Sequence, residues 1–245
     1  MWIAVIGLLL QACSIPPDPD PRIPGPDVKR IVMARSAAVL VTESPYVGRW
    51  AKRNFTTKHS PDEADGGSAV PISEDGYFLT ADHVLARIKG RNVFVLVGNG
   101  GRLTAHPARV VWRSPRADLA LLHVKIMTPD YYRWTPPDRW LPAGTPVLHG
   151  GLATGARSGW GRLGTSIPPD KHFSGYRTFK IDIPLQPGDS GGAVVDAYGR
   201  LVGINSAVEF LVPMETAFFI DSEGKRPHLA DLEREIVADR QRNKR

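Results

Sequence analysis

Apolar residues fall in short runs of strand length, separated by polar stretches that glycine and proline punctuate. Ala38–Thr42 is the first such run, and Val28–Ala37 ahead of it predicts a short helical turn. Ser44–Gly67 is polar and without period, which predicts a long loop. Gly67–Ser73 and Gly76–Thr80 read as two strands joined at Glu74-Asp75-Gly76, and Ala81–Leu85 follows directly. Val93–Val97, Leu103–Trp112 and Ala117–Val124 continue the pattern. It breaks over the proline- and aromatic-rich Thr128–Pro142 and resumes with Gly144–Gly151, a glycine-rich connection to Thr165, Thr178–Leu185, Ala193–Val195, Gly199–Val208 and Ala217–Ile220. About a dozen short strands in two groups predict an all-β architecture of barrel type. Only the tail departs: beyond Pro227, the spacing of Leu229, Leu232, Ile236 and Val237 predicts a terminal amphipathic helix.

The start of the chain has a different character. Trp2–Leu10 is apolar but too short to span a bilayer, and it runs into Leu10-Gln11-Ala12-Cys13-Ser14. This resembles the lipobox of bacterial lipoproteins, which implies a cleaved signal over 1–12 and a lipid on Cys13 that holds the protein to a membrane. An ordinary cleaved signal peptide is the alternative. Ser14–Arg30, with prolines at 16, 17, 19, 21, 24 and 26, predicts a polyproline II spacer. The expected layout is a tether over 13–30, a first barrel over 31–130, a linker over 131–142, a second barrel over 143–220, and a helix with a basic tail over 221–245.

Composition narrows the chemistry. The 245 residues are 42% hydrophobic, enough for a sizeable core, and the 24 Gly and 22 Pro fit many turns. The net charge of +6 comes from scattered residues with no basic run interleaved with aromatics, so no nucleic-acid partner is expected. The single cysteine excludes an intrachain disulfide.

Three segments can carry chemistry. Gln186-Pro187-Gly188-Asp189-Ser190-Gly191-Gly192 places a serine among glycines that permit close approach. Alone it reads equally as a glycine-rich hairpin or as a nucleophile whose own N–H, with that of Gly188, points at a developing oxyanion. His83 stands at the end of a strand, and Asp118 stands at the mouth of a continuous apolar one, where a carboxylate must be solvated or paired. Asp82 adjoins His83, but neighbouring side chains diverge. His123 reads as a packed or edge histidine, while His59, His106, His149, His172 and His228 default to surface or loop roles. No ligand spacing of the His-Glu-x-x-His kind is present, and neither metal nor cofactor is expected.

The order His83, Asp118, Ser190 is that of chymotrypsin. Gly67-Ser68-Ala69-Val70 through Gly76–Val84, Ala117-Asp118-Leu119-Ala120-Leu121-Leu122, and Gly188–Val194 through Gly203–Ala207 together resemble the motifs of chymotrypsin-fold serine proteases. They are most similar to those of the HtrA family of bacterial periplasmic proteases. The resemblance implies two six-stranded antiparallel β-barrels with a short C-terminal helix. It implies Ser190 as nucleophile, His83 as base and then acid, Asp118 as the group orienting His83, and the Gly188 and Ser190 N–H groups as the oxyanion hole. It also implies a substrate pocket lined by parts of Ile183-Pro184-Leu185 and Ser206-Ala207-Val208. No acidic residue stands at the pocket-base position, which Pro184 occupies, so a small aliphatic residue is expected before the scissile bond.

The expected activity is that of an endopeptidase acting on proteins or peptides in the cell envelope. An esterase using the same residues, or a non-catalytic binding protein on this fold, are the alternatives. The 25 residues after Ile220 are too few for the PDZ module that HtrA proteases usually carry. Asp189 stands where that family commonly has asparagine. Zymogen-activated trypsins have aspartate there, paired with a new N-terminus, and Lys29-Arg30-Ile31-Val32 resembles such an activation site.

Overall fold

The computed structural model describes residues 20–47, 63–99, 102–136, 140–154, 159–167, 176–211 and 218–243. Cys13, the apolar run before it, His59 and His172 lie outside the described residues. Twelve strands form two closed antiparallel barrels. The first contains β1 (Ala37–Thr42), β2 (Asp65–Pro71), β3 (Tyr77–Thr80), β4 (Asn92–Asn99), β5 (Arg102–Ser114) and β6 (Leu119–Val124), in the spatial order β1-β2-β3-β6-β5-β4. The second contains β7 (Pro146–His149), β8 (Gly161–Ile167), β9 (Tyr176–Ile181), β10 (Ala193–Val195), β11 (Leu201–Leu211) and β12 (Phe218–Pro227), in the order β10-β11-β12-β9-β8-β7. The all-β, two-barrel expectation is met.

Continuous apolar sequence marks the strands buried on both faces. All six residues of β1 are buried between β2 and β4, and in β6 only His123 is partly open. β2 turns into β3 through Gly76, whose φ of 86° suits glycine, and a Cβ there would lie 2.1 Å from the Val124 carbonyl oxygen.

Several elements differ from the expectation. β8 occupies the stretch read as a glycine-rich connection, and β9 ends at Ile181, so residues 182–185 leave the sheet before the serine loop. β12 runs on past Ile220 to Pro227. Its inner positions are Ser222, Gly224 and Arg226 rather than apolar residues, and its outer Asp221, Glu223 and Lys225 share ion pairs with Lys180 and one another. A helix α1 (Pro26–Ala34) opens with Pro26 in its first turn and buries Val28 and Val32. Ahead of it, Arg22 stacks 4.6 Å from the Tyr198 ring of the second barrel.

The expected terminal helix is α2 (Leu229–Arg242), with Leu232 and Ile236 buried. It leaves the second barrel and docks on the first. The Asp239 carboxylate, 1% exposed, receives two hydrogen bonds from Arg109 at 2.6 and 2.7 Å and one from the Tyr77 hydroxyl at 2.8 Å. Arg240 pairs with Asp75 in the β2–β3 turn at 2.7 and 2.8 Å.

Candidate active site

Strand register brings His83 and Asp118 together. β3 pairs with β6 with Thr80 opposite Ala120, so the residues just beyond β3 and just before β6 meet at one sheet end. His83 lies there in a 3₁₀ turn, Asp82–Leu85, and Asp118 is the only non-glycine residue among those described with positive φ, at 49°. Asp118 Oδ1 accepts the His83 backbone N–H at 2.9 Å, and the His83 Nδ1 lies 3.0 and 2.9 Å from the two carboxylate oxygens. With Nδ1–H donating to the carboxylate, the neutral ring carries its lone pair on Nε2.

A third donor comes from the other barrel. The Ser206 hydroxyl donates to Asp118 Oδ2 at 2.5 Å, and the Ser206 carbonyl accepts the Ser190 hydroxyl at 3.4 Å. Ser206 thus joins the Asp118 carboxylate to the Ser190 loop. Burial pushes the Asp118 pKa up, but hydrogen bonds from the His83 ring, Ser206 and the His83 N–H outweigh it and hold the group at about 2. The hydrogen bond to Asp118 raises the His83 pKa above the ordinary 6.5, against partial burial, and the charges of Asp118 and Asp82 add to the rise. The adjacent Asp82 points elsewhere, accepting Arg113 Nε and Nη2 at 2.7 and 2.9 Å.

Residues Gly188–Gly192 form a tight loop between the end of β9 and β10. Gly188 and Gly191 have φ of 103° and 85°, and a Cβ on Gly191 would lie 2.1 Å from the Ser68 carbonyl oxygen. Among the described residues, the N–H groups of Gly188 and Ser190 have no hydrogen-bond acceptor, leaving two donors for an incoming oxygen. Asp189 is fully buried, and its carboxylate accepts the N–H groups of Ala153, Thr154 and Gln186 at 3.2, 3.0 and 2.9 Å and the Thr154 hydroxyl. Ile31 lies within α1 with its side chain against Gly199, so Asp189 is satisfied by the 151–154 loop and not by a new N-terminus.

Of the residues expected to line a substrate pocket, Ile183, Leu185 and Ser206 are buried and Pro184 and Ala207 are exposed. Ile183 is 5% exposed in the second-barrel core beside Leu163 and Phe179. Ser206 is committed to Asp118, and Leu185 is buried. Pro184 and Ala207 face solvent, and Val208 lies in β11 opposite Ser222. Asp182, next to Ile183 in sequence, accepts the Arg162 N–H.

Of the other histidines, His123 stacks on Tyr77 at 4.7 Å and His228 pairs with Asp231 at 3.1 Å. His149 is fully buried rather than superficial, with Nδ1 3.4 Å from Asn205 Nδ2. Asn205 also braces the loop: its carbonyl accepts the Gly191 N–H, its own N–H donates to the Gly192 carbonyl, and its amide reaches the Asp189 carbonyl at 3.3 Å. Sequence reasoning passed over Ser68, Asn205 and the orienting role of Ser206. Only their position inside otherwise apolar strand segments hinted that their polar groups must find partners.

The profile of the trypsin-like peptidase domain matches residues 67–204, and the chain belongs to that family. Among curated proteins, it is 32% identical over 180 residues to a probable periplasmic serine endoprotease DegP-like of Marinomonas sp. (strain MWYL1), covering 65% of this chain and 36% of that protein. It is 27% identical over 212 residues to the putative serine protease HhoB of Synechocystis sp. (strain ATCC 27184 / PCC 6803 / Kazusa), covering 79% and 49%. The chain therefore spans half or less of the length of these relatives. Among solved structures, the HtrA-type protease AlgW with tripeptide is similar with a TM-score of 0.57 at 25% identity, covering 86% of this chain and 62% of that one. Deg5 shares the fold with a TM-score of 0.58 at 15% identity, covering 85% and 90%.

Proposed function

We propose that this protein is a serine endopeptidase of the bacterial cell envelope that cleaves polypeptides through an acyl-enzyme on Ser190. The observation that carries this reading is the His83–Asp118 pair, held at 2.9 Å and linked by Ser206 to the Ser190 loop with its two open N–H donors. Asp118 fixes the Nδ1–H tautomer, so His83 Nε2 takes the Ser190 proton as Oγ attacks the scissile carbonyl carbon. The tetrahedral oxyanion is received by the Gly188 and Ser190 N–H groups, each worth about 3 kcal/mol in comparable enzymes. The imidazolium, stabilised by the Asp118 charge, returns the proton to the leaving amine, and water then repeats the cycle to release the acid. In the resting structure the Ser190 hydroxyl is directed to the Ser206 carbonyl, so proton transfer to His83 requires it to leave that acceptor.

Peptide substrates are favoured over simple esters by the relatives' names and by the tripeptide held by AlgW. The periplasmic naming of the DegP-like proteins supports an envelope location. A lipid on Cys13 would attach the chain to a membrane, a reading that rests on the lipobox resemblance. With Pro184 rather than an acid at the pocket-base position that the family resemblance implies, a small aliphatic residue before the scissile bond is favoured over lysine or arginine.

An active-site serine probe tests the reading. Wild type labels and Ser190→Ala does not, and wild type degrades an unfolded protein faster than it hydrolyses small esters. Equal labelling of both, or none by folded wild type, overturns the nucleophile assignment. Loss of membrane association in Cys13→Ser is the outcome expected of the anchor.

A further inference from the structure

Ser68 is 1% exposed in β2 of the first barrel, yet its polar groups bind across to the loops of the second. Its N–H donates to the Ser190 carbonyl at 2.7 Å, and its hydroxyl donates to the Gly188 carbonyl at 2.6 Å. The same hydroxyl oxygen accepts the Leu152 N–H at 2.7 Å, and the Ser68 carbonyl accepts the Thr80 hydroxyl at 2.7 Å. We infer that Ser68 is a positioning residue for the oxyanion hole: it grips the carbonyls of Gly188 and Ser190, the two residues whose N–H groups receive the oxyanion. This inference rests on the serine-peptidase reading and deepens it.

Gly188 has no Cβ to confine it, so its φ of 103° is held by the bonds its peptide groups make. The carbonyl bond to Ser68 is one such bond: it anchors the peptide plane on the far side of the Gly188 Cα from its N–H, which limits how φ and ψ can turn the two planes against each other. Ser68 also reaches the 151–154 segment through Leu152, and that segment wraps Asp189 through the Ala153 and Thr154 N–H groups. One hydroxyl therefore connects the first barrel to both loops that shape the hole. The contact is close, since a Cβ on Gly67 would lie 3.1 Å from the Ser190 carbonyl oxygen. Alanine at 68 leaves a half-buried acceptor on Gly188 and a half-buried donor on Leu152 without this partner, while threonine keeps a hydroxyl that both donates and accepts.

The test uses a peptide aldehyde, whose hemiacetal oxygen occupies the hole when Ser190 adds to it, alongside a cleaved product peptide that makes no such bond. In Ser68→Ala, kcat falls ten- to hundredfold, on the order seen when an oxyanion donor is weakened, with KM changed less than about twofold. Aldehyde inhibition weakens by a similar factor, product-peptide affinity does not move, Ser68→Thr restores most of kcat, and the Leu152 amide exchanges faster in Ser68→Ala. Wild-type kcat and aldehyde affinity in folded Ser68→Ala overturn the inference, as does equal weakening of aldehyde and product peptide. If Ser68→Ala does not fold, Ser68→Cys, similar in size and a poor donor, is expected to show the same losses, and its wild-type behaviour would overturn the inference. Failure of wild type to label or cleave counts against the peptidase reading instead, and Leu152 exchange still reports on the strut.

Discussion

The Ser206 hydroxyl and the Asp118 carboxylate, 88 positions apart in sequence, meet at 2.5 Å and place a second-barrel donor on a first-barrel acid. Hydrogen bonds to charged groups contribute roughly 1.5–3 kcal/mol, so Ser206→Ala should lower kcat/KM by about tenfold or more. Steady-state kinetics on a peptide substrate checks this.

The pH profile follows from the same carboxylate. Catalysis needs neutral His83, and its hydrogen bond to Asp118 raises its pKa, so the acid limb of kcat/KM should lie above pH 6.5. Asp118→Asn removes the cause of the rise. Its acid limb should move to lower pH while kcat falls by on the order of 10⁴, as it does in comparable triads that lose the correct tautomer. An acid limb that stays in place in Asp118→Asn would show that this carboxylate does not set the His83 titration.

In the intact chain Asp189 is satisfied by Ala153, Thr154 and Gln186, so the serine loop is held without cleavage after Arg30. Arg30→Gln should be as active as wild type, and N-terminal sequencing of active protein should find Arg30–Ile31 intact. Asp189→Ala, by contrast, removes the buried acceptor that gathers these three N–H groups and should lose activity together with thermal stability.

In the turn that carries His83, the buried Asp82 carboxylate pairs with a half-buried Arg113. Removing Arg113 alone leaves the Asp82 carboxylate, 5% exposed, without its guanidinium. Arg113→Gln should therefore destabilise by about 3 kcal/mol, and Asp82→Asn in the same chain should recover part of that loss. Denaturant melts of the two single variants and the double variant measure the coupling.

Acid should release α2 from the first barrel. Hydrogen bonds from Arg109 hold the Asp239 pKa down, burial opposes them, and the Tyr77 hydroxyl adds to the fall, for a value of about 2. A group depressed in the folded state stabilises fully above its unfolded pKa of about 3.9 and loses that contribution as pH falls through the folded value. The loss should fall between about pH 4 and pH 2, and Asp239→Asn should remove most of that pH dependence, as read by thermal melts across the range.

The sequence was legible where apolar residues ran continuously. β1 and β6 are buried along their length, and the His83 and Asp118 segments at their sheet end could be placed from pattern and resemblance. β8 and the far half of β12 were not legible, because their inner faces present glycine, serine and Arg226 rather than a run of aliphatics. Arg226 sits 6% exposed, donating to the Thr135 and Val202 carbonyls at 2.8 and 3.1 Å, a position no hydropathy pattern identifies as interior. Ile183 misled in the opposite sense, since its place in a pocket-lining stretch says nothing of its turn into the core. Ser68 and Ser206 act on partners about a hundred positions away, and a hydroxyl carries no sequence mark of its partner.

The docking of α2 also alters how the two barrels are connected. The segment between β6 and β7 joins them, Arg22 and Ile31 ahead of β1 pack on Tyr198 and Gly199 of the second barrel, and the Asp239 and Arg240 contacts return the far end of the second barrel to the first. Among the described residues, each end of the chain is thereby fastened to the other barrel. A single nick between β6 and β7 would leave the halves fastened, and separating them would also require α1 and α2 to peel away. Heat or force that detaches α2 first should dissolve the site, because neither half alone contains His83, Asp118 and Ser190.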